Sequence, residues 1–208
     1  KAFCKFEDIS YSSKNFFSIL QVSIMPDLDT CLLLMRLLGM DAYKAVIEKR
    51  DKREFENRPI PEEILLQILQ ATRMAGSGKN RQTGRIVVVA DQDGRNSVAE
   101  SGDFGDWIRD AAVALVFAIH SDGGLRPDFD IGRMAQNAMI VANSQGLSSC
   151  PMTVYRQKEL KTALSIPDEY DVPMVVGMGF PSNDSKSSKS HPRIPLEDMI
   201  YREIWESP

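Results

Sequence analysis

Apolar residues recur at helical spacing in several stretches after Met40. Between Pro61 and Gly76 they recur every three or four positions, which predicts an amphipathic helix with proline at its first turn. A longer helix is predicted from Asp130 to Gln145, with Gly146 as the residue that ends it. Further helices are predicted after Asp41, which is placed as an N-cap, and over residues 157–164, while the tail 196–205 is expected to be helical or extended.

Uninterrupted apolar runs predict three β-strands, over residues 86–89, 111–119 and 173–180. A run without polar alternation indicates a strand that is covered on both faces. Turns are predicted at 91–94 and 122–124, and a Ser/Lys-rich loop at 183–190. Helices that alternate with a few buried strands give an α+β fold, an α/β sandwich with a single core.

Residues 1–39 do not continue this pattern. Their two apolar runs, 16–25 and 31–38, are each about half the roughly 20 residues that a membrane span requires. Acidic residues precede the first run, which is unlike a signal peptide. We therefore expect an N-terminal appendage, disordered or not native to the domain, and a functional domain over 40–208. The alternative is a docking arm for a partner or a membrane surface.

The amino-acid composition argues against several classes of function. The 208 residues carry a net charge of −4, which argues against nucleic-acid binding as the main activity because such binding needs a basic surface. Three widely spaced cysteines form neither a disulfide framework nor a zinc motif, so we expect a reducing, cytoplasmic compartment. Only two histidines are present, and no metal site is predicted. No membrane role is expected.

A basic cluster follows the first predicted helix. Its four cations lie within five residues and are Lys49, Arg50, Lys52 and Arg53. Cations this close repel one another unless an anion is bound, and the planar guanidinium of arginine suits a phosphate. The alternative is a solvated turn in which Asp51 and Glu54 are the local partners.

A second polar segment spans Gly76 to Gln82, where glycines allow close approach of a ligand and Ser, Asn and Gln offer hydrogen-bond partners for a polar ring edge. It has no Walker spacing, so an ATPase is excluded. The alternative is an ordinary loop at a helix end.

A third segment, residues 146–151, contains Cys150 among small residues. A cysteine nucleophile needs a histidine base, and no flanking signature indicates one. A buried structural role for Cys150 is therefore favoured over a catalytic one.

Taken in order, these segments resemble the motifs of the FMN-dependent nitroreductase family. Residues 49–55 are similar to its opening Arg-Arg-Ser-x-Arg-x-Phe, and residues 75–82 to its Ala-Pro-Ser-x-x-Asn-x-Gln. Gln136 and Asn137 match its Gln-Asn helix, and residues 146–150 its Gly-Leu-Gly-Ser-Cys turn. Residues 175–181 resemble its Gly-Tyr-Pro end, and residues 191–197 its closing Arg-x-Pro-Leu-Glu.

This resemblance implies a mixed β-sheet flanked by helices, bound FMN, NAD(P)H as co-substrate, and a homodimer with flavin sites at its interface. The first motif and the closing arginine would hold the phosphate and ribityl chain. The second motif would come from the partner subunit, and the third would lie along the isoalloxazine edge with a backbone N–H near its N5. The implied cofactor-binding residues are Lys49, Arg50, Asp51, Arg53, Arg193, Ser77, Lys79, Asn80, Gln82, Ser149, Cys150, Pro151 and Met152.

The chain also departs from the family pattern. Asp51 stands where a small hydroxyl residue is usual, and its carboxylate is expected either to brace Arg50 or to accept a ribityl hydroxyl. Gly76 replaces a proline, and Thr83-Gly84 replaces a Pro-Trp pair. The short connection from Ile119 to Asp130 leaves no room for cap helices, so a more open substrate face is expected.

The implied function is transfer of reducing equivalents from NAD(P)H through FMN to a nitroaromatic, a quinone or a similar acceptor. No side chain is expected to act as acid or nucleophile, because the flavin carries the redox chemistry. The alternative is a non-catalytic FMN-binding sensor or carrier.

Overall fold

The computed structural model describes residues 42–122, 124, 126–183 and 193–205. The expectation for residues 1–39 lies outside the described residues. No helix in the described ranges is long and apolar enough to cross a membrane.

A four-stranded sheet forms the centre of the domain. Its strands are β1 (Gly84–Val89), β2 (Val113–His120), β3 (Ser148–Thr153) and β4 (Tyr170–Gly179), in the order β1-β2-β4-β3. All three strand pairings are antiparallel. Within the described ranges, the parallel pairing that a mixed sheet implies is limited to an isolated bridge between Asp51 and Ser149.

The described residues contain six helices. They are α1 (Ala42–Glu48), α2 (Glu62–Arg73), α3 (Gln92–Glu100), α4 (Pro127–Ser144), α5 (Gln157–Ala163) and α6 (Leu196–Met199). Two 3-10 turns, Gly78–Asn80 and Asp106–Asp110, connect them to the strands. Gly146 has a φ of +76° just past α4, which confirms it as the residue that ends the long helix.

Strand β2 separates two halves of the core. The side chains of Leu115 and Phe117 pack on one face with Ile68 of α2 and with α4, whereas Val116 packs on the other face with α3 and α5. Successive residues of a strand point to opposite faces, so a continuous apolar run fills both halves. The result is three layers, with helices on both faces of the sheet.

The structure corrects the sequence predictions at three places. The run over 86–89 does not form a strand covered on both faces, because β1 lies at the sheet edge and Val88 is exposed. The stretch 91–94, predicted as a turn, begins α3: the Asp91 carboxylate accepts from the Gly94 N–H at 2.7 Å and caps the helix. Residues 148–153 form β3, although residues 146–150 were expected to form a turn.

Candidate functional site

The segment that follows α1 lies along the outer edge of β3. The Lys52 N–H donates to the Ser149 carbonyl at 3.3 Å, and the Glu56 N–H donates to the Phe180 carbonyl at 2.8 Å. A further bridge joins Phe55 to Pro181. These backbone contacts bring the first predicted motif next to the third, although about a hundred residues separate them in sequence.

Lys49 is held inside this contact. Its side chain is only 11% exposed, and its Nζ forms an ion pair with the Asp51 carboxylate and approaches Met139 Sδ of α4 at 3.2 Å. One of the two expectations was that Asp51 braces Arg50. The structure shows that Asp51 pairs with Lys49 instead. The half-exposed Asp51 carboxylate compensates the charge of a cation that is largely removed from water.

Arg50 points away from this contact. Its Nη1 donates to the carbonyls of Ile47 and Lys49, at 2.6 and 2.7 Å. Both acceptors lie at the C-terminal end of α1, where free carbonyl groups favour a cation. In this arrangement Arg50 stabilises the end of the helix.

Arg53 has neutral partners. Its Nε donates to Cys150 Sγ at 3.3 Å, and its guanidinium carbon lies 5.7 Å from the centre of the Trp107 ring. Within the described residues no carboxylate forms an ion pair with Arg53. The positive charge of Arg53 is therefore not cancelled by these neighbours, which suits the binding of an anion. Trp107 was not found from the sequence, because it lies in a 3-10 turn that has no apolar periodicity.

The side chains of the third motif are buried to different degrees. Ser149 and Cys150 are almost fully buried, and Pro151 is half-buried. Met152 packs into the core on one face of the sheet. It lies so close to Gly102 that a Cβ added there would be 2.4 Å from its sulfur. The side chains of Ser149, Cys150 and Met152 are therefore not presented to solvent, and contact of this strand with a flavin through a backbone N–H stays a prediction.

Burial raises the pKa of the Cys150 thiol above its ordinary value, while the hydrogen bond from Arg53 lowers it. The first effect is the larger, so the thiol is protonated at neutral pH. Thiolate, not thiol, is the reactive form of cysteine. This favours the structural role predicted for Cys150 over a nucleophilic one.

The second predicted motif forms a strained loop between α2 and β1. Lys79, Asn80 and Gln82 all have positive φ values, of 53°, 54° and 50°. The Ser77 hydroxyl accepts from the Gln82 N–H at 2.9 Å and closes the loop. Left-handed backbone costs roughly 1–2 kcal/mol for each residue other than glycine, and such strain clusters at functional sites. Among the described residues, the exposed side chains of Lys79 and Asn80 form no hydrogen bond, and that of Gln82 donates only a long one, of 3.5 Å, to the Asn80 carbonyl.

A cleft of about 310 Å³ borders this loop. Ser77, Gln82 and Thr83 line it, together with Gly84 and Met134. The hydroxyl of Thr83 is buried and has no hydrogen-bond partner within the described residues. A Cβ added to Gly84 would lie 2.5 Å from the Met134 sulfur, so Met134 fills the space beside the Thr83-Gly84 pair.

Helix α4 contacts both motifs. Met139 approaches Lys49, and the Arg133 guanidinium donates to the Gly76 carbonyl at 2.7 Å. These two positions are six residues apart, which corresponds to about 9 Å along a helix axis. Asn137 of the same helix donates to the Ala71 carbonyl of α2 at 3.0 Å and holds the two helices together.

The remaining candidate, Arg193, is exposed and precedes α6. In the described part of the chain, no hydrogen bond or ion pair joins it to the other candidates. A larger cleft of about 400 Å³, between residues 55–59 and 109–112, contains none of the predicted cofactor residues. The described residues also contain no group of three or more His, Cys, Asp or Glu side chains that could hold a metal ion.

This chain is similar in sequence to known oxidoreductases from archaea and bacteria. A protein of Archaeoglobus fulgidus, named as a candidate NADH dehydrogenase/NAD(P)H nitroreductase, is 28% identical over 173 residues, which cover 79% of this chain and 99% of that protein. The NADPH-flavin oxidoreductase of Vibrio harveyi is 26% identical over 183 residues, covering 80% of this chain and 75% of that protein.

Comparison with solved structures shows that the fold is also known from other proteins. A solved structure of the NADPH:FMN oxidoreductase from Vibrio harveyi, complexed with NAD+, matches with a TM-score of 0.72 at 24% identity, covering 80% of this chain and 79% of that chain. The predicted α+β fold and the predicted resemblance are both confirmed. The nitroreductase family profile matches residues 46–102 and 100–180. The chain belongs to the nitroreductase family.

Proposed function

We propose that this member of the nitroreductase family, an NAD(P)H-dependent oxidoreductase, binds FMN and passes reducing equivalents from NAD(P)H to a nitroaromatic, a quinone or a similar acceptor. Names of relatives support the cofactor: one is an FMN reductase [NAD(P)H] of Bacillus subtilis, 25% identical over 189 residues. The substrate class rests on the family resemblance alone.

The observation that carries the proposal is the position of Arg53. Its guanidinium lies at the outer edge of β3, and its two contacts, with Cys150 and Trp107, are neutral. A cation that has no carboxylate partner among the described residues suits a negatively charged group such as a phosphate, to which arginine can donate two parallel hydrogen bonds. Lys49 adds a second cation from the same segment.

Hydrogen-bonding groups elsewhere in the candidate site also suit the ring of FMN. The strained loop presents the exposed amides of Asn80 and Gln82 to a flat polar ring, and backbone groups of β3 past Ser149, whose carbonyl is already bonded to Lys52, would add further partners. When bound, FMN supplies the hydride-accepting and hydride-donating chemistry. The residues of this chain bind and orient it, and the protonated Cys150 takes no part as a nucleophile.

A homodimer is part of the proposal. Large apolar side chains are exposed on two described segments: Tyr43, Val46 and Ile47 on α1, and Ile194, Leu196, Met199, Ile204 and Trp205 near the C-terminus. Exposed apolar side chains in such groups are frequent at interfaces between proteins. A second copy of the chain would cover it and bring its own Asn80 loop to the site.

Absorbance spectroscopy and FMN titration test the cofactor. We expect the purified protein to be yellow, or to bind added FMN with the stoichiometry of one per chain, and to oxidise NAD(P)H faster when p-benzoquinone or 4-nitrobenzoate is added. A colourless protein that takes up no FMN would refute the proposal. FMN binding without any oxidation of NAD(P)H would instead support a flavin carrier or sensor.

Size-exclusion chromatography with flavin absorbance tests the shared site. We expect the chain to elute as a dimer that carries the flavin, and Asn80→Ala to weaken FMN binding while the dimer persists. Arg126→Ala, an exposed change outside the proposed site, is the control. A monomer that binds FMN as tightly as a dimer would contradict a site shared between subunits.

A further inference from the structure

The part of the chain around the strained loop is rich in positive charge. Residues 64–90 contain four cations and no carboxylate, although the whole chain has a net charge of −4. The four are Arg73, Lys79, Arg81 and Arg85. None of them forms an ion pair within the described residues. Like charges that are close together and unpaired create a positive potential, which attracts anionic molecules.

Two of these cations, Arg73 and Arg85, are held by neutral groups beside the loop. The Arg73 Nε donates to the side chain of Gln70 at 3.1 Å, and the Arg85 Nη1 donates to the Gln82 carbonyl at 2.8 Å. Both arginines line the cleft of about 310 Å³ that borders the loop. Asp130 also lines this cleft but forms no ion pair with either arginine in the described structure. Both arginines therefore keep a charge that their contacts do not neutralise.

The other two cations, Lys79 and Arg81, lie in the loop itself and are exposed. The Arg81 guanidinium packs against Gly124 and leaves no room for a Cβ there. Among the residues that the structure describes, neither the Lys79 nor the Arg81 side chain forms a hydrogen bond or an ion pair. Asn80 lies between them in the chain, so the loop presents a cation on either side of an amide.

Lys79 has a backbone conformation that is unfavourable for lysine. Its φ of 53° lies in the left-handed region, which glycine adopts freely and residues with a Cβ do not. Because the exposed Lys79 side chain makes no polar contact with the described residues, the fold does not depend on it. Backbone strain of this kind clusters at ligand sites. The strain and the unpaired charge together favour a role in binding a ligand over a role in the fold.

We infer that Lys79 and Arg81 select substrates that carry an anionic group. This inference rests on the proposed function, in which the Asn80 loop of a second copy completes the flavin site and so brings both cations to its rim. The anionic group is the 2′-phosphate of NADPH or a carboxylate on the acceptor, and the two share the same chemistry toward a cation. Lys79 is thereby assigned to the substrate, in place of the flavin contact that the sequence resemblance implies.

Two pairs of substrates test the inference, because the members of each pair differ in one anionic group. NADPH and NADH are compared with p-benzoquinone as a neutral acceptor. Both dinucleotides carry a diphosphate, so their comparison isolates the 2′-phosphate. The acceptors 4-nitrobenzoate and 4-nitrobenzyl alcohol are compared with NADH as the donor. The measured quantity is the ratio of kcat/KM for the anionic member to kcat/KM for the neutral or less charged member. The pair that shows the higher ratio identifies the source of the anionic group.

We expect the wild type to favour the anionic member of at least one pair. In Lys79→Gln that ratio is expected to fall about threefold to tenfold, through a higher KM for the anionic substrate. Lys79→Glu is expected to lower it further, since a carboxylate repels the anion, and Arg81→Gln is expected to lower it in the same direction. High salt should bring the wild-type ratio close to that of Lys79→Gln, because salt screens exposed charges.

Lys158→Gln is the matched control. Lys158 is exposed on α5, which packs on the other face of the sheet from α2 and α4, and it forms no ion pair within the described residues. The substitution removes the same charge and is expected to change neither ratio by more than about twofold. Equal falls in Lys79→Gln and Lys158→Gln would show that only net charge matters and would overturn the inference. Wild-type ratios for both pairs in Lys79→Gln would overturn it as well.

Measurements without turnover separate substrate selection from other roles. Lys79→Gly relieves the left-handed strain, so it is expected to melt at or above the wild-type temperature and still to lose selectivity as Lys79→Gln does. A clearly lower melting temperature would show that the side chain serves the fold. FMN affinity and elution volume in size-exclusion chromatography are expected to be unchanged in Lys79→Gln. Weaker FMN binding or loss of the dimer would assign Lys79 to the flavin or to the interface, and the inference would be wrong.

Failure of the proposed function gives a different result. A wild type that binds no FMN, or that oxidises neither NADH nor NADPH, would refute the proposed function and the inference with it. A wild type that uses all four substrates with both ratios near one would leave the proposed function intact and overturn the inference alone.

Discussion

Replacing Phe117 by alanine is expected to lower the free energy of unfolding by about 3–5 kcal/mol. Phe117 is the largest fully buried side chain of the described core and lies in the middle of β2. Its strand partners are Ile86 of β1 and Met174 of β4, and α2 and α4 cover it from one side. Truncation removes the ring and leaves a cavity in a region held by strands on both sides, which can collapse only in part.

Urea denaturation of the wild type and the variant, in the same FMN state, measures this change. The slope of the free energy against urea is expected to stay the same, because both proteins expose the same surface on unfolding. Phe104→Ala is the matched control: Phe104 is 81% exposed, so its loss should change the free energy by no more than about 0.5 kcal/mol. A loss of less than 1 kcal/mol for Phe117→Ala would contradict the packing described here.

The elements predicted most accurately from the sequence are those with a long, regular apolar pattern. Strand β2 and helix α4 were both expected within three residues of their observed start. Each buries its apolar residues against the same core, so local pattern and tertiary packing favour the same structure. The end of α4 at Gly146 was also predicted, because a left-handed residue at that position favours glycine.

Two elements with a weak local pattern, β3 and α3, were missed. Strand β3 contains small residues and a proline, which have little preference for a strand, and its pairing of Cys150 with Gly177 brings together distant parts of the chain. Helix α3 contains Gly94 and begins with polar residues, so its sequence indicated a turn. The Asp91 cap and the burial of Val98 against the sheet outweigh that weak local preference.

For the candidate site, the sequence indicated individual residues but not the residues that they contact. Lys49, Asp51 and Arg53 were predicted as site residues because charge density and motifs can be recognised in the sequence itself. Their partners were not, since the contact of Arg53 with Trp107 exists only once the 3-10 turn is packed on β4. The pairing of Asp51 with Lys49 likewise depends on how the segment after α1 meets β3 and α4.

Lys49→Met is expected to weaken FMN binding about tenfold to a hundredfold, as the loss of a charged hydrogen bond implies. The Lys49 side chain is only 11% exposed, and methionine has a similar length, so packing against Met139 is retained while the charge is lost. The Asp51 carboxylate then stays near the proposed phosphate site without its cation. A phosphate carries a charge of about −1.5 to −2, so this carboxylate would repel it.

A second substitution identifies the role of Asp51. If its carboxylate opposes phosphate binding once Lys49 is absent, the double variant Lys49→Met, Asp51→Asn should bind FMN more tightly than Lys49→Met alone. If Asp51 instead accepts a ribityl hydroxyl, the double variant should bind more weakly, and riboflavin affinity should fall with it. Fluorescence titration at low and high salt measures both, because repulsion between charges weakens as salt increases.

Lys44→Met is the matched control for this cycle. Lys44 lies on α1, is exposed, and forms a 3.7 Å ion pair with Glu48, so the substitution changes the net charge by the same amount in the same segment. Its effect on FMN affinity is expected to be less than twofold, since exposed ion pairs contribute little and distant charges are screened. Equal effects of Lys44→Met and Lys49→Met would show that only net charge matters. A specific loss in Lys49→Met, recovered by removing the Asp51 carboxylate, requires the phosphate to lie beside this buried cation.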